Sequence, residues 1–488
     1  MPAPELSSSS RWARWLPVAV VFLWGAYLCL WNIGSANQNA DEGIYVEAGW
    51  DYVHGDFAAN REHPPTAKYL FGVVQLMFGE GLLAPRIFVG LLTLAVGVVI
   101  WLWLRREVGF TLALIPAALW LLLPRGVTGG AERLDRFALL EPVMVAFTVF
   151  AMAAAWVWFR TERWPWIVAS GVFMGLAITA KVSAAVILVG FLVLLVARRP
   201  LVRVLRDVGL FVIALVVTAV ALYLPMGLTD AVGYMLQIQA EHNAAGHLIT
   251  VAGITGPFPP WWANLWFTVV GVGVPTAVVL AVGLVAAVVV GRPRRLVVFI
   301  GTALGALLAF HLFGSNVALP HYYYAWFWML AVLAGLGLAG LLRPGPRGLL
   351  VVIGRVVGIL ALLLVVVIAA RLSVYTWQER AAGMALVEDA LDEDPAPNGD
   401  VLVAGMAPWE YEPYIEEDEI VGDPALVDTA DIRAIVIKHS PRFGIDPRIQ
   451  SFVDQAQPGV RLEQLDDTYV YILDARLVSA GDTLVLER

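Results

Sequence analysis

The sequence is short of the residues on which soluble chemistry usually relies. Cysteine occurs once, at Cys29 inside the first apolar run, so an intramolecular disulfide and a cysteine-built zinc site are excluded, and the redox compartment cannot be read. Lysine occurs three times, at Lys68, Lys181 and Lys438, and the other basic residues are arginine, the pattern of a GC-rich genome. Charged residues make up 15% of the chain against 59% hydrophobic, and the mean hydropathy of +0.75 is too high for a soluble protein. The scarce charge is also unevenly divided. Residues 372–488 hold 24 acidic and 8 basic residues, a net of -16, which leaves +8 for residues 1–371 out of a total of -8. The two parts are built for different solvents, and nucleic acid is not among the expected partners.

What the chain does contain is apolar runs. A span needs about 20 apolar residues to cross about 30 Å of hydrocarbon. Candidate runs lie at 16–34, 85–104, 110–124, 137–159, 165–180, 183–197, 208–225, 262–290, 296–313, 322–342 and 349–370, eleven in all. Arginine collects on alternate loops: Arg11 and Arg14, Arg105 and Arg106, Arg160 and Arg163, Arg198 to Arg206, Arg292 to Arg295, Arg343 and Arg347. By the positive-inside rule these loops are cytoplasmic, and the odd count sends the acidic C-terminal part outside. Residues 226–261 and 314–321, on the opposite side, contain no lysine or arginine. The length and tryptophans of 16–34 suit an anchor better than a cleaved signal peptide. The expected architecture is a mainly α polytopic membrane domain over 1–371, with its first outer loop at 35–84, followed by a small extracytoplasmic α/β domain over 372–488. The runs "DVLVAGM", "RAIVIKH" and "TYVYILDARLV" read as strands of that domain and "PRIQSFVDQAQ" as a helix, while "LDEDPAPNGD" reads as a loop.

Charges near hydrocarbon cost several kcal/mol unless paired or hydrated, so those the positive-inside rule does not explain are functional candidates. They fall on one side. The first outer loop, "NADEGIYVEAGWDYVHGD" with "NREHPPTAKYL", supplies Asp41, Glu42, Tyr45, Glu62, His63 and Lys68. The loop before the fourth run supplies Arg125, Glu132, Arg133, Asp135, Arg136 and Glu141, and Lys181 sits at the tip of an outward hairpin. His242 and His247 come from 226–261, and His321 with Tyr322, Tyr323 and Tyr324 opens the tenth run. Five segments thus bring ionisable groups to one membrane face. A lipid-linked anionic substrate requires this: its tail lies in the bilayer, its phosphate meets fixed cations at the interface, and a carboxylate accepts a proton from an attacking hydroxyl. Arginine or lysine aimed at a departing phosphate stabilises the transition state more than the ground state.

Plainer roles compete with each of these. Carboxylates just past a span suit a helix start, "HPP" suits a stiff entry into a helix at 66–79, and interfacial arginines snorkel to headgroups. His242 and His247 are five residues apart, about 140° around a helix, and do not match a zinc pair at i, i+4. Trp261, Trp262 and Tyr322 to Tyr324 suit an interfacial belt first and a sugar-stacking surface second.

"ADEGIYVEAGWDYVHGDF" with "NREHPPTAKYL" resembles the Asp-Glu signature and "HPPLGK"-type motif of protein O-mannosyltransferases, an arrangement shared by the aminoarabinose transferases that modify lipid A. "RFALLEPVMVAF" is similar to the family's Arg-x-x-x-x-Asp segment, "GLAITAKVSA" to its "GLA..TK" hairpin, and "LPHYYY" more loosely to a late Tyr-rich motif. The resemblance covers about residues 15–345. It implies a GT-C fold glycosyltransferase that takes its sugar from a polyprenyl phosphate on the extracytoplasmic face of the cell membrane, usually with inversion. It further implies Asp41 as the catalytic acidic position and Glu42 as its companion, with His63 and Lys68 near the donor phosphate and Arg136 and Lys181 as basic positions facing it. Glu141 stands where the family more often has Asp, and "HPPTAKYL" lacks the usual glycine before lysine. The expected partners are a polyprenyl-phosphate-linked sugar, mannose above others, membrane lipids, and an extracytoplasmic protein, glycan or lipid acceptor. No cofactor is obligatory on this reading, although Asp41, Glu42 and His63 have the oxygen and nitrogen ligands that could hold a divalent cation. A transferase of an aminopentose to a lipid is the alternative within the class. A secondary transporter would instead place its charges at the bilayer midplane on broken helices in two related halves, and no such repeat is visible.

Overall fold

In the computed structural model the described part of each of the eleven apolar runs is mainly helical, because a segment in hydrocarbon can satisfy its backbone N–H and C=O groups only within itself. The structure describes residues 8–127, 133–195, 200–344, 348–392, 399–412, 414–415, 419–439, 443–455 and 458–487. Glu132, Arg198, Arg199, Arg347 and residues 393–398 of the expected loop lie outside them. The helices are α1 (Ser8–Leu30), α2 (Ala40–His54), α3 (Thr66–Phe78), α4 (Leu83–Val108), α5 (Leu114–Leu122), α6 (Leu140–Thr161), α7 (Trp164–Ile178) and α8 (Leu188–Leu195). They continue as α9 (Leu201–Tyr223), α10 (Leu228–Ala245), α11 (Ala263–Val272), α12 (Val274–Val290), α13 (Arg294–Ala309), α14 (Tyr324–Leu342) and α15 (Leu349–Gln378).

Among the described residues seven of these are long and apolar enough to cross a membrane: α1, α4, α6, α9, α13, α14 and α15. An eighth is obtained if α11 and α12, bent by 110°, count as one broken span. The break falls at Gly273, whose φ of +76° is open to glycine at little cost. The expectation of about eleven spans counted three runs that make shorter helices, α5, α7 and α8. In α5 the cause is local: Leu123 turns extended because Pro124 disfavours helix in the residue before it, leaving nine residues that rise only about 14 Å.

The chain divides into two units, one of Met1–Gly34 and Ile44–Gln378 and the other of Ser35–Gly43 and Glu379–Arg488. The expected boundary at 371/372 falls inside α15, and the segment just before the Asp-Glu pair groups with the C-terminal residues. In the first unit α14 is the central helix, buried along most of its length. The expected first outer loop is mostly α2 and α3, which approach so closely that a Cβ on Gly72 would collide with the Gly49 carbonyl. Residues 226–261 hold α10 and a small hairpin, β1 (Ile249–Val251) with β2 (Ile254–Gly256).

The second unit is the expected α/β domain. Its strands are β3 (Asp400–Ala404), β4 (Ile420–Val421), β5 (Ile432–Lys438), β6 (Val460–Leu465) and β7 (Thr468–Leu473), in the order β4-β3-β5-β7-β6. β3 runs parallel to β4 and β5, whereas β5–β7 and β6–β7 are antiparallel. Both faces are covered, one by Met384, Val387 and Tyr411, the other by Ile449 and Phe452 of the helix Pro447–Val453. "TYVYILDARLV" is not one strand: it breaks after Leu473, and Arg476–Ala480 (β8) pairs with Thr483–Glu487 (β9).

Candidate active site

Two of the sequence motifs are joined by a clamp. The Thr66 N–H donates to the Thr179 carbonyl at 2.9 Å, and the two hydroxyls meet at 2.7 Å in a fully buried contact. The clamp fixes "HPPT", at the start of α3, against "ITAK", at the end of α7. It holds His63 near Lys181, two residues beyond the clamp, close enough for the ammonium to oppose protonation of the imidazole.

At that junction Glu141 opens α6, where the helix N-terminus favours a carboxylate. Its Oε1 accepts from Lys181 Nζ and lies 3.2 Å from His321 Nε2. The Lys181 ammonium also stands 4.2 Å from the centre of the Tyr322 ring, a cation–π seat. Four residues that the sequence singled out therefore meet, drawn from α6, the α7 hairpin and the turn before α14. Glu141 is buried, whereas Lys181 keeps 17% of its side chain exposed, so the cation is the accessible member. Tyr45 on α2 packs edge-on against His63 with ring centres 5.6 Å apart. Burial pulls the His63 imidazole down to about 3, and the positive charges of Lys181 and Lys68 add to this. His242 on α10 opposes its protonation as well.

Other expected residues do different work. Lys68 is fully buried, with Nζ donating to the Asn60 and His63 carbonyls (2.9 Å for the latter) and to Asn60 Oδ1 at 3.3 Å, and it lies 4.8 Å from the Tyr52 ring centre. It pins the 60–63 turn, in which Asn60 takes φ +48°, and does not present a free cation to a phosphate. Burial pulls this ammonium down to about 7. Glu62 accepts from Asn60 Nδ2 at 2.8 Å, and its carbonyl accepts from Gln239 of α10 at 3.1 Å, so it too holds the turn. His247 is exposed beside β1, and its backbone N–H donates to Pro257 O at 2.8 Å. Nothing in that contact directs its ring to the cluster.

The two arginines ahead of α6 are likewise committed elsewhere. Arg133 is buried, with Nε 2.9 Å from Asp135 Oδ1, Nη2 2.5 Å from Asp135 Oδ2 and Nη1 2.7 Å from the Leu121 carbonyl. Arg125 Nη2 binds the same carboxylate at 2.7 Å and stacks over Trp120. Burial would raise the Asp135 carboxyl, but the two guanidiniums hold it far below the usual carboxylate range. Arg136 donates to the Leu28 and Asn32 carbonyls, both at 3.2 Å, at the C-terminus of α1, where a cation suits the helix end. Arg133 is thus bound to Asp135 and the Leu121 carbonyl, and Arg136 holds the end of α1 through its two terminal nitrogens.

Asp41 and Glu42 stand in the first turn of α2 and group with the second unit. Asn39 caps this helix: its Oδ1 accepts from the Asp41 N–H at 3.2 Å, while Glu42 Oε2 accepts from the Asn39 N–H at 3.3 Å. This reciprocal pair is a capping box, and it gives Glu42 the helix-start role weighed above. Asp41 lies one turn before Tyr45 on the same face of α2.

Among the described residues no group of three His, Cys, Asp or Glu side chains stands close enough to hold a metal ion. Sequence reasoning missed Thr66 and Thr179, which carry no charge to mark them. It also missed His311 and Asn264, polar residues inside the apolar runs 296–313 and 262–290, where their position was itself the signal.

Solved structures share this architecture. A crystal structure of ArnT from Cupriavidus metallidurans bound to undecaprenyl phosphate superposes with a TM-score of 0.61 at 17% identity, covering 95% of this chain and 98% of that one. The Archaeoglobus fulgidus oligosaccharyltransferase in its apo form gives 0.54 at 12% identity over 88% and 70%. The archaeal oligosaccharyltransferase AglB from Archaeoglobus fulgidus, in complex with an inhibitory peptide and a dolichol-phosphate, gives 0.53 at 11% over 88% and 70%. The chain has the GT-C fold. Residues 62–225, from the "HPP" motif to the end of α9, match the family model described as dolichyl-phosphate-mannose-protein mannosyltransferase. No curated protein matches the sequence.

Proposed function

We propose that the protein transfers a sugar from a polyprenyl phosphate to a hydroxyl of an acceptor, on the extracytoplasmic side of the membrane. The observation that carries this reading is the convergence of Lys181, Glu141, His321 and Tyr322, with His63 clamped beside them. Lys181 is the partly exposed cation that meets the donor phosphate; Glu141 holds its ammonium in place over the Tyr322 ring, and His321 binds the same carboxylate. As the glycosidic bond breaks, charge grows on the departing phosphate, and a fixed ammonium stabilises that state more than the intact donor. Asp41, one turn before Tyr45, is the general base that takes the acceptor's proton, and attack from the far face inverts the anomeric centre. Mannose is the proposed sugar, supported by the family match over 62–225. Lipid-phosphate ligands in the ArnT and AglB structures support the donor class. Transfer of an aminopentose to a lipid is the second reading, favoured by the fuller coverage of ArnT. We infer that no metal is obligatory, since a lipid monophosphate carries little enough charge for lysine to meet. The test is incubation of purified protein with radiolabelled polyprenyl-phosphate mannose and with the corresponding aminopentose donor, each in the presence of a cell-envelope extract that supplies protein, glycan and lipid acceptor hydroxyls. Release of free lipid phosphate from one of them is expected. Both donors recovered intact would refute the transferase reading.

A further inference from the structure

Beside the charged cluster lies a pocket whose polar groups have no role in the chemistry above. It is about 130 Å³, the scale of a single six-membered ring, and is lined by Trp261, Asn264, His311, Phe313 and neighbouring residues. His311 is 5% exposed, and among the described residues neither of its ring nitrogens has a hydrogen-bond partner. Asn264 is 2% exposed: its Nδ2 donates to the His311 carbonyl at 2.9 Å, which leaves Oδ1 equally unmatched. Buried polar atoms without partners cost about 1–3 kcal/mol each, so three of them in one pocket mark a place for a polar ligand.

The pocket is preorganised. His311 lies in a π-helical turn, Phe310–Gly314, that ends α13, a distortion common at functional sites. Its ring is wedged between Tyr322 and Trp326, with centroids 5.6 and 5.0 Å away. Tyr322 is also the ring beneath Lys181, so the pocket adjoins the proposed phosphate site. Trp261 and Phe313 stack at 6.1 Å and form an exposed apolar wall.

We propose that this pocket is a carbohydrate subsite that seats a neutral, hydroxylated ring, an inference that rests on the transferase reading for its place beside the donor. An imidazole in its neutral form offers one donor and one acceptor, and Asn264 Oδ1 offers a second acceptor, the complement of adjacent hydroxyls. The indole supplies a face for ring C–H groups. No charged side chain is among the lining residues, so an ammonium-bearing sugar has no counter-ion there.

The test is saturation-transfer NMR on the full chain in detergent, with methyl α-D-mannopyranoside as probe and a 2-amino-2-deoxy glycoside as charged comparator. Transfer to the neutral glycoside is expected to fall at least fivefold in His311→Leu, Asn264→Ser and Trp261→Ala, to persist in Lys181→Ala, and to be weaker for the charged comparator. A wild-type protein that shows no transfer, or variants that match it, would overturn the subsite. Trp261 is exposed, so its variant decides the matter if the buried substitutions fail to fold. Donor hydrolysis on the same samples separates the two sources of the ring. A raised KM in His311→Leu assigns it to the donor sugar, and an unchanged KM with lost glycoside binding assigns it to the acceptor. If the wild type binds glycoside yet consumes no lipid-linked sugar, the transferase reading fails and the subsite stands.

Discussion

At the scale of residues, adjacent carboxylates divide their work. Glu42 closes the capping box of α2 with its side chain, whereas Asp41 contributes its backbone N–H to that cap. Asp41→Asn is therefore expected to lower the transfer rate at least 100-fold with donor binding and melting temperature little changed. Glu42→Ala, which removes that acceptor, should lower the melting temperature more than the rate. Comparable activity in purified Asp41→Asn would remove Asp41 from the role of base. His63 carries a second prediction. Its folded value of about 3 lies below the ordinary 6.5, so the folded protein keeps it neutral while the unfolded chain takes up a proton. Stability from this group is intact above pH 6.5 and is lost as pH falls toward 3, on the order of 2 kcal/mol by pH 5. Melting temperatures measured from pH 7 to pH 5 should drop more steeply for the wild type than for His63→Gln. Parallel profiles would mean the imidazole is solvated.

At the scale of elements, the segment before α6 shows what a sequence can and cannot disclose. The apolar runs were legible because hydrocarbon leaves a chain few alternatives to helix. The cluster was partly legible: Glu141, Lys181, His321 and Tyr322 are polar groups at span ends, and the structure brings those four together. Arg133 and Arg136 looked the same in sequence, since spacing does not tell whether a guanidinium meets a ligand, an aspartate two residues away or the end of another helix. Three of the eleven runs make helices shorter than a span, and in α5 the helix stops ahead of Pro124. The Arg125–Asp135–Arg133 network carries its own prediction. Two guanidiniums share one buried carboxylate, so Asp135→Asn strands both and should destabilise the protein by about 3–5 kcal/mol. Thermal melts should show part of that loss recovered when Arg133→Met is added. A single variant that melts like the wild type would show that water reaches the network.

At the scale of the whole molecule, the second unit assembles from stretches far apart in sequence. Ser35–Gly43 joins Glu379–Arg488, and the joint is specific. Asn37 Nδ2 donates to the Ala382 carbonyl at 2.7 Å, the Ala382 N–H returns a bond to Asn37 Oδ1 at 3.0 Å, and the Gln38 N–H donates to the Tyr414 hydroxyl at 2.7 Å. The residues leading into Asp41 are thus fastened to the acidic domain, which composition alone presented as a separate cap. Three hydrogen bonds at about 1 kcal/mol each keep this segment from opening locally. Asn37→Ala combined with Tyr414→Phe removes all three while leaving the core of each unit untouched. The expected result is a fall in kcat of about fivefold to thirtyfold, because the base is in position for a smaller fraction of the time, with donor KM and melting temperature nearly constant. Full activity in that double variant would show that the first turn of α2 holds Asp41 unaided. A collapse in melting temperature instead would make the tether part of the fold, not part of the catalytic alignment.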